Sequence, residues 1–235
     1  MTVVGSADAL ERRLGWRSLV CALALILAVI GLGIWVRLYG RGVTELDQWW
    51  LGEARVDPDS ALFVLAQALH AVGSAVGVIV CMVLCTAFFL GVRRWRDAAA
   101  LVTGGVLGVL ASETLKVLLA RARPEDALVI ERSFSYPSGH SMGAAVLGTS
   151  LALVVILSAR RTTLGSGLAA GLAITWAALM MWSRTALHAH WLTDTLGGAA
   201  LGVAMAILAR LIWQPARPGD ARLTTVVPES RPQPH

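Results

Sequence analysis

The sequence predicts an all-α, polytopic membrane protein with six transmembrane helices, and three features of its composition and patterning carry that prediction. Of its 235 residues, 56% are hydrophobic and 15% are charged, whereas soluble domains usually carry about 25% charged residues. The mean hydropathy is +0.67. Apolar runs of about 20 residues, long enough to cross a bilayer as helices, recur along the chain. This composition excludes an ordinary water-facing surface.

Six apolar runs meet the length requirement. They cover residues 17–38, 61–90, 98–120, 139–158, 163–183 and 190–213. The first is interpreted as an uncleaved helix, because it is long and has no evident small-residue cleavage site. The second would greatly exceed the ~30 Å hydrocarbon core if it were one straight helix. Gly73 and Ser74 offer a break in it, so we expect the residues before them to lie along the membrane surface, downstream of the interfacial pair Trp49–Trp50.

Arginine placement predicts the orientation of these helices. Arginines precede the first run, follow the second and fourth runs and lie near the end of the sixth: Arg12, Arg13, Arg17, Arg93, Arg94, Arg96, Arg160, Arg161 and Arg210. Positively charged loops are usually cytoplasmic. Both termini are therefore predicted to lie in the cytoplasm, and the alternate loops, of which the first is acidic, face outward.

The segment after Trp213 differs from the rest of the chain. It holds five of the eight prolines among polar residues and has no apolar face that could pack. We therefore divide the chain into a six-helix membrane domain over residues 1–213 and a disordered, proline-rich cytoplasmic tail over residues 214–235.

The net charge of +5 rests almost wholly on arginine, because Lys116 is the only lysine. Cationic membrane proteins usually owe such charge to their cytoplasmic flanks. No basic stripe with interleaved aromatic residues is present, so no nucleic-acid partner is expected. The three cysteines lie within apolar runs and are interpreted as packing residues.

Three short segments interrupt the apolar pattern, and the predicted topology puts all of them on the outward side. The first, residues 116–124, reads K-V-L-L-A-R-A-R-P, and the second, residues 137–140, reads P-S-G-H. The third, residues 183–194, begins with Ser-Arg and continues to a histidine at 190 and an aspartate at 194. A charge within the bilayer costs at least about 2.5–3.5 kcal/mol, so these residues need partners or a polar cavity.

The cations of these segments suit the recognition of an oxyanion. Lys116 supplies a compact ammonium near a helix end, and Arg184 can present a planar fork to phosphate oxygens. Arg123 precedes Pro124, which pushes it toward an extended conformation. Arg121, two residues earlier, is interpreted as an interfacial charge.

The Ser138-Gly139-His140 segment opens the fourth helix. Its turn and the helix N-terminus can direct backbone N–H groups at an anion, although Ser138 at such a position is equally typical of a helix cap.

His190 and Asp194 are spaced four residues apart, which predicts that they share a helix face. The aspartate can then accept a hydrogen bond from one ring nitrogen and leave the other free to attack. His188 has Leu192 at the same spacing and is interpreted as a bystander, as is His70.

Together these segments resemble the type-2 phosphatidic acid phosphatases, which share their site with vanadium haloperoxidases. The family pattern is lysine, six residues, arginine-proline; then proline-serine-glycine-histidine; then serine-arginine, five residues, histidine, three residues, aspartate. All matching positions are present between Lys116 and Asp194, in order and without a gap. Three motifs matched in order are far more specific than any one of them.

The resemblance implies a role for each matched residue. His190 would be the nucleophile that becomes phosphorylated, Asp194 would orient it, and His140 would be the general acid. Phosphate oxygens would be bound by Lys116, Arg123, Ser138, the Gly139 amide and Arg184. The resemblance implies no metal and no other cofactor, and the adjacent carboxylates Glu125 and Asp126 are interpreted as solvated.

The function implied is that of an integral plasma-membrane phosphatase of bacterial type, with its active site at the outward ends of helices 3 to 6. Its partners would be the bilayer and a membrane lipid phosphate: polyprenyl pyrophosphate, phosphatidylglycerol phosphate, phosphatidic acid or diacylglycerol pyrophosphate. The resemblance implies no particular oligomeric state.

Three other functions stay open. A lipid phosphotransferase would use the same histidine. A vanadate-dependent haloperoxidase would hold vanadate there, but the members of that branch are soluble. A non-catalytic transporter would need ionisable residues at mid-depth, whereas here they lie at helix ends.

Overall fold

The computed structural model describes residues 4–39, 42–158 and 162–214. These residues form α-helices joined by loops, with no strand among them. The helices are α1 (Val4–Tyr39), α2 (Glu45–Ala54), α3 (Ala61–Gly73), α4 (Ala75–Gly91), α5 (Trp95–Leu119), α6 (Gly139–Ile156), α7 (Thr163–Ala186) and α8 (Leu192–Ile212). The predicted tail, apart from residue 214, lies outside the described residues.

Five helices are long and apolar enough to cross a membrane: residues 15–38 of α1, and all of α5, α6, α7 and α8. Helices α3 and α4 pass the same test together, but they are bent by 62°. Counting that pair as one span gives six. The predicted all-α, polytopic membrane fold is therefore confirmed, and its second apolar run is the one that is broken.

The break lies at Ser74, as the sequence predicts. The Ser74 hydroxyl donates to the Ala71 carbonyl at the end of α3 and accepts from the Gly77 amide at the start of α4, at 2.7 and 3.2 Å. One side chain thus ends one helix and begins the next. That α3 lies along the membrane surface stays a prediction.

Helix α2 is an element that the sequence analysis missed. Its start is a capping box, in which the Asp47 amide donates to the Thr44 hydroxyl and the Thr44 amide donates to the Asp47 carboxylate, at 3.0 and 3.2 Å. The Thr-x-x-Asp spacing was visible in the sequence as a helix-start signal. Two of the boundaries that differ from prediction bear on the motif residues: α7 extends to Ala186 and so includes Arg184, and α8 begins only at Leu192, beyond His190.

Helix α8 lies at the centre of the bundle, against α1, α5 and α6. Its closest neighbour is α6, and glycines permit that approach. A Cβ added at Gly198 would meet the carbonyl oxygen of Ser138, and one added at Gly202 would meet that of Met142, both far inside van der Waals contact. Backbone therefore packs on backbone here, as is common where small residues line membrane helix interfaces.

A cluster of charged residues joins α5 and α8 at the end of the bundle opposite the three motifs. The buried Asp97 carboxylate accepts from Arg94 at 2.6 Å and from Arg210 at 2.5 Å. Next to it, the Trp213 indole donates to the Thr103 hydroxyl at 2.9 Å. These contacts hold the two helices in register far from the motif residues.

The α6–α8 contact generates a stability prediction. Gly202→Ala should lower the free energy of unfolding by about 1–3 kcal/mol, because the new methyl group overpacks the interface. Gly171→Ala on α7 is the matched control, since a Cβ there meets nothing within 4 Å. Thermal unfolding of both variants in detergent measures the difference. A Gly202 variant as stable as the Gly171 variant would contradict this packing.

Candidate active site

The three motif segments meet at one end of the bundle. They come from the C-terminal end of α5 with the loop that follows it, from the N-terminus of α6, and from the C-terminal end of α7 with the loop into α8. The end of α3 joins them. All eight predicted site residues lie in this region, and contacts between side chains connect most of them.

His190 is fully buried in the loop just before α8. Its Nδ1 lies 3.4 Å from Asp194 Oδ2. The predicted pair therefore forms, but not because the two residues share a helix face. Asp194 instead caps α8 by accepting from the Trp191 amide at 2.9 Å, and this turns its carboxylate back toward His190. The Ser135 hydroxyl also donates to Asp194 Oδ2 and lies 3.5 Å from His190 Nδ1.

The other ring nitrogen of His190, Nε2, faces a cation, Arg123 NH1, at 3.0 Å. Burial lowers the pKa of His190 to about 4, although the hydrogen bond with Asp194 opposes that shift. The imidazole is therefore neutral at neutral pH, and with Nδ1 turned to the carboxylate its lone pair is on Nε2. This is the state that a nucleophilic histidine requires.

Arg123 is held by backbone oxygens. It donates to the carbonyls of Ser133 and Ala189 at 2.7 and 2.6 Å. Burial lowers the pKa of this guanidinium, and the nearby Glu131 carboxylate opposes the shift. Arginine stays charged in proteins, so a cation is fixed beside Nε2 of His190.

A chain of contacts continues from Arg123 to His140. Glu131 lies between two cations: its Oε1 accepts from Arg184 at 2.6 Å, and its Oε2 lies 3.8 Å from Arg123. Arg184 is completely buried and donates to His70 Nδ1 at 2.5 Å. His70 Nδ1 in turn lies 3.1 Å from His140 Nε2. The two predicted histidines are thus linked through arginines and two residues that the motifs do not include.

Lys116, Ser138 and Gly139 form one side of the site. The buried Lys116 ammonium donates to Glu113 at 2.7 Å and lies 3.6 Å from the point where a Cβ of Gly139 would stand. Ser138 is completely buried and caps α6, accepting from the Ser141 amide at 3.4 Å. The Ser138 amide donates to the Asp194 carbonyl at 3.0 Å, which ties this turn to the start of α8.

The interpretation of Arg121 as an interfacial charge is wrong. Arg121 is 5% exposed and makes two ion pairs, one with Asp47 at 2.6 Å and one with Asp194. It also donates to the Thr193 hydroxyl at 2.7 Å and to the Gly42 carbonyl at 2.6 Å. Arg121 therefore holds the carboxylate that faces His190. Arg121 and Arg123 are two residues apart and contact different members of the His190–Asp194 pair: Arg121 contacts Asp194, and Arg123 contacts His190.

Two further interpretations need correction. His188 has a partner, because its Nδ1 lies 2.8 Å from Asp126 Oδ2. Asp126 is thus more than a solvated loop carboxylate. His70 is no bystander either, because it contacts both Arg184 and His140. These partners lie far away in the sequence, so no motif spacing predicts the contacts.

One group of residues in the described part of the chain has the composition of a metal site. Ligand atoms of His70, Glu131 and His140 all lie within 4.8 Å of one another. However, Arg184 already donates to two of the three, His70 and Glu131. A guanidinium in contact with both of those ligand atoms disfavours a second cation, so the group fits an anion-binding arginine better than a metal.

With this geometry in view, comparison with known proteins identifies the family. The model of the PAP2 superfamily matches residues 97–218. The chain belongs to the PAP2 superfamily. The match begins in α5 and includes every motif residue, but it leaves out α2 and α3, and hence Asp47 and His70.

Relatives of this PAP2 chain support the same fold. Phosphatidylglycerophosphatase B of Bacillus subtilis (strain 168) is 34% identical over 119 residues, and these cover 50% of the chain and 58% of that relative. The crystal structure of a transmembrane PAP2-type phosphatidylglycerolphosphate phosphatase from Bacillus subtilis matches with a TM-score of 0.71 and 24% identity, covering 87% of this chain and 98% of that one. LpxE of Aquifex aeolicus matches with a TM-score of 0.53 and 20% identity, covering 68% and 90%. At these identities the two structures establish the fold alone.

The Arg121 network generates a prediction for this PAP2 site. Asp47→Ala should lower the free energy of unfolding by about 3 kcal/mol, at the low end for a broken buried ion pair, because Arg121 keeps Asp194. Glu45→Ala is the matched control, since Glu45 lies on the same helix but is exposed. Chemical or thermal unfolding in detergent compares the two. Equal stabilities would contradict a structural role for this pair.

Proposed function

We propose that this PAP2 protein is an integral membrane phosphatase that hydrolyses phosphate esters of lipids through a phosphohistidine formed on His190. One observation carries the proposal: the buried, neutral His190 is oriented through Nδ1 by Asp194, while its Nε2 faces Arg123. An electron-rich nitrogen beside fixed cations is what attack on a phosphoryl group requires.

In the first step His190 Nε2 attacks phosphorus. The bond to the leaving lipid oxygen breaks with its electron pair on that oxygen, and His140 supplies the proton. In the second step water attacks the phosphorus of the phosphohistidine, and the phosphorus–nitrogen bond breaks with its electron pair on His190 Nε2, so that phosphate is released. His140, now unprotonated, accepts the water's proton. Asp194 stabilises the positive charge that His190 acquires in the intermediate.

The phosphoryl oxygens would be held by the cations around the nucleophile. Arg123 and Arg184 both form ion pairs with one anion, the Glu131 carboxylate, so the positive charge of this site attracts anions. Arg184 Nε is buried and makes no hydrogen bond within the described residues, which leaves a donor free for a phosphate oxygen. Lys116 and the Gly139 amide would complete the cradle from the other side. Phosphoryl transfer needs mainly this positioning and charge neutralisation.

The substrate class follows from the membrane fold and from the relatives. A site at the end of a helix bundle lies where a lipid headgroup would be, and the matched Bacillus subtilis protein is a phosphatidylglycerophosphatase. The aligned segment spans only 58% of that relative. Because that relative is a phosphatidylglycerophosphatase, we take phosphatidylglycerol phosphate as the first candidate among the four lipids named above.

The orientation proposed for the site is extracytoplasmic, with both termini in the cytoplasm. Loops that carry arginine, such as the one at Arg93 and Arg94, lie at the end of the bundle opposite to His190. The positive-inside rule assigns that end to the cytoplasm.

A lipid screen tests the proposed activity. Purified protein should release phosphate from phosphatidylglycerol phosphate in detergent, and polyprenyl pyrophosphate, phosphatidic acid and diacylglycerol pyrophosphate serve as comparisons. Activity should survive a strong chelator, and vanadate should inhibit, because a trigonal-bipyramidal oxyanion resembles the transition state. No release from any of the four lipids would refute the proposal, and recovery by added magnesium after chelation would refute its metal-free form.

Leaving-group dependence separates the two catalytic histidines. A lipid alkoxide needs a proton to leave, whereas a nitrophenolate does not. His140→Ala should therefore slow lipid hydrolysis by up to about 10²–10⁴-fold while affecting nitrophenyl phosphate far less. His190→Ala should abolish both reactions. His188→Ala is the control and should change neither, and an inactive His188 variant beside an active His190 variant would show that the nucleophile is misassigned.

Thiol labelling tests the orientation. A cysteine introduced at Asp126, which lies in the loop beside the site and is more than half exposed, should react in intact cells with a membrane-impermeant reagent. A cysteine at Arg94 should react only after the cells are opened. The native cysteines lie in apolar runs, and the unmodified protein gives the background. The reverse pattern would move the site to the cytoplasmic side.

A further inference from the structure

His70, like Glu131, is a residue of this site that no motif contains. It lies near the end of α3, outside the region that the PAP2 model matches. Yet its ring stacks on that of His140, with centroids 5.0 Å apart and planes inclined by 20°. Helix α3 is also shaped to fit His140, because a Cβ added at Gly73 would come within 2.9 Å of the His140 ring.

The partners of His70 determine where its protons lie. Arg184 NH1 can only donate, and it lies 2.5 Å from His70 Nδ1. That nitrogen must therefore offer a lone pair. The second group on the same nitrogen is His140 Nε2, at 3.1 Å. His70 Nδ1 has no proton to give, so in a hydrogen bond between the two rings His140 Nε2 is the donor, and the single lone pair of His70 Nδ1 is shared between Arg184 and His140.

We propose that His70 is a positioning residue for His140, holding the ring by stacking and holding a proton on Nε2 by accepting its hydrogen bond. The inference rests on the proposed function, in which His140 is the general acid. Protonated on both ring nitrogens, His140 gives the Nδ1 proton to the leaving lipid oxygen as the phosphorus–oxygen bond breaks, and it keeps on Nε2 the proton that His70 holds. His70 itself touches neither phosphorus nor the leaving oxygen.

This assignment makes the acid histidine depend on α3, an element remote from the motifs in sequence. Two structural roles would also put a histidine here: His70 could serve only to fill space, or only to hold Arg184. Both would affect the nucleophilic step and the acid step alike. A role in positioning the acid affects only substrates whose leaving group needs a proton.

Two variants at the same position separate ring stacking from hydrogen bonding. His70→Phe keeps an aromatic ring but removes the acceptor, whereas His70→Asn puts an amide oxygen close to where Nδ1 stood. Gln67→Phe, one turn earlier on α3 and exposed, controls for a new aromatic residue on this helix. Each purified protein is assayed with a lipid phosphate and with nitrophenyl phosphate, and its inhibition by vanadate and its thermal unfolding are measured.

We expect His70→Phe to slow lipid hydrolysis by about 10–100-fold, the usual size of an outer-shell effect on a functional histidine. Nitrophenyl phosphate hydrolysis and vanadate inhibition should stay close to wild type, and His70→Asn should recover most of the lost lipid activity. Equal losses on both substrates in His70→Phe, or losses in His70→Asn as large as in His70→Phe, would overturn the inference.

The outcome also separates this inference from the proposed function. A wild-type protein that releases phosphate from lipids and depends on His190, but whose His70 variants lose both substrates equally, keeps the proposed function and loses only the role of His70. A wild-type protein without lipid phosphatase activity overturns both. If His70→Phe unfolds, His70→Asn still decides. The quantity to compare with wild type is then the rate on the lipid phosphate divided by the rate on nitrophenyl phosphate. A ratio close to that of wild type supports the inference, and a much lower ratio overturns it.

Discussion

The geometry of the site depends on one buried guanidinium, that of Arg121. It bridges Asp47 on α2 and Asp194 at the start of α8, and so it fixes the carboxylate that faces His190. A buried ion pair adds little net stability, because desolvating the charges offsets most of their attraction. Its effect is on specificity: two acidic side chains and one arginine satisfy each other only when α2, α5 and α8 meet in a single arrangement.

That constraint explains how much of the protein could be predicted from its sequence. Apolar runs and the serine after Gly73 revealed the membrane helices and the break in the second run, because these are local signals. The residues of the three motifs lie together at one end of the bundle, as their predicted topology requires. The spacing of four residues predicts the His190–Asp194 contact through a shared helix face, whereas in the structure the contact forms because Asp194 caps α8.

The rest could not be predicted because it depends on contacts between distant segments. Arg121 looks like a surface charge until α2 supplies Asp47, which is 74 residues away in sequence. Glu131 and His70 are single polar residues in the sequence, and only the packed helices bring Arg184 into contact with both of them. A sequence pattern records neighbours along the chain, whereas these groups become neighbours only after the helices have packed.

The position of Lys116 has a practical consequence for chemical biology. It is the only lysine in the chain, and its buried ammonium lies against the Gly139 turn, where we propose that phosphate binds. Amine-directed acylating reagents therefore have a single lysine side chain as a target in the whole protein, and that side chain lies beside the Gly139 turn. Covalent probes that carry a lipid-like tail can be directed to this amine. Mass spectrometry of the one peptide that contains Lys116 would then report the fraction of the protein that is labelled in cell membranes.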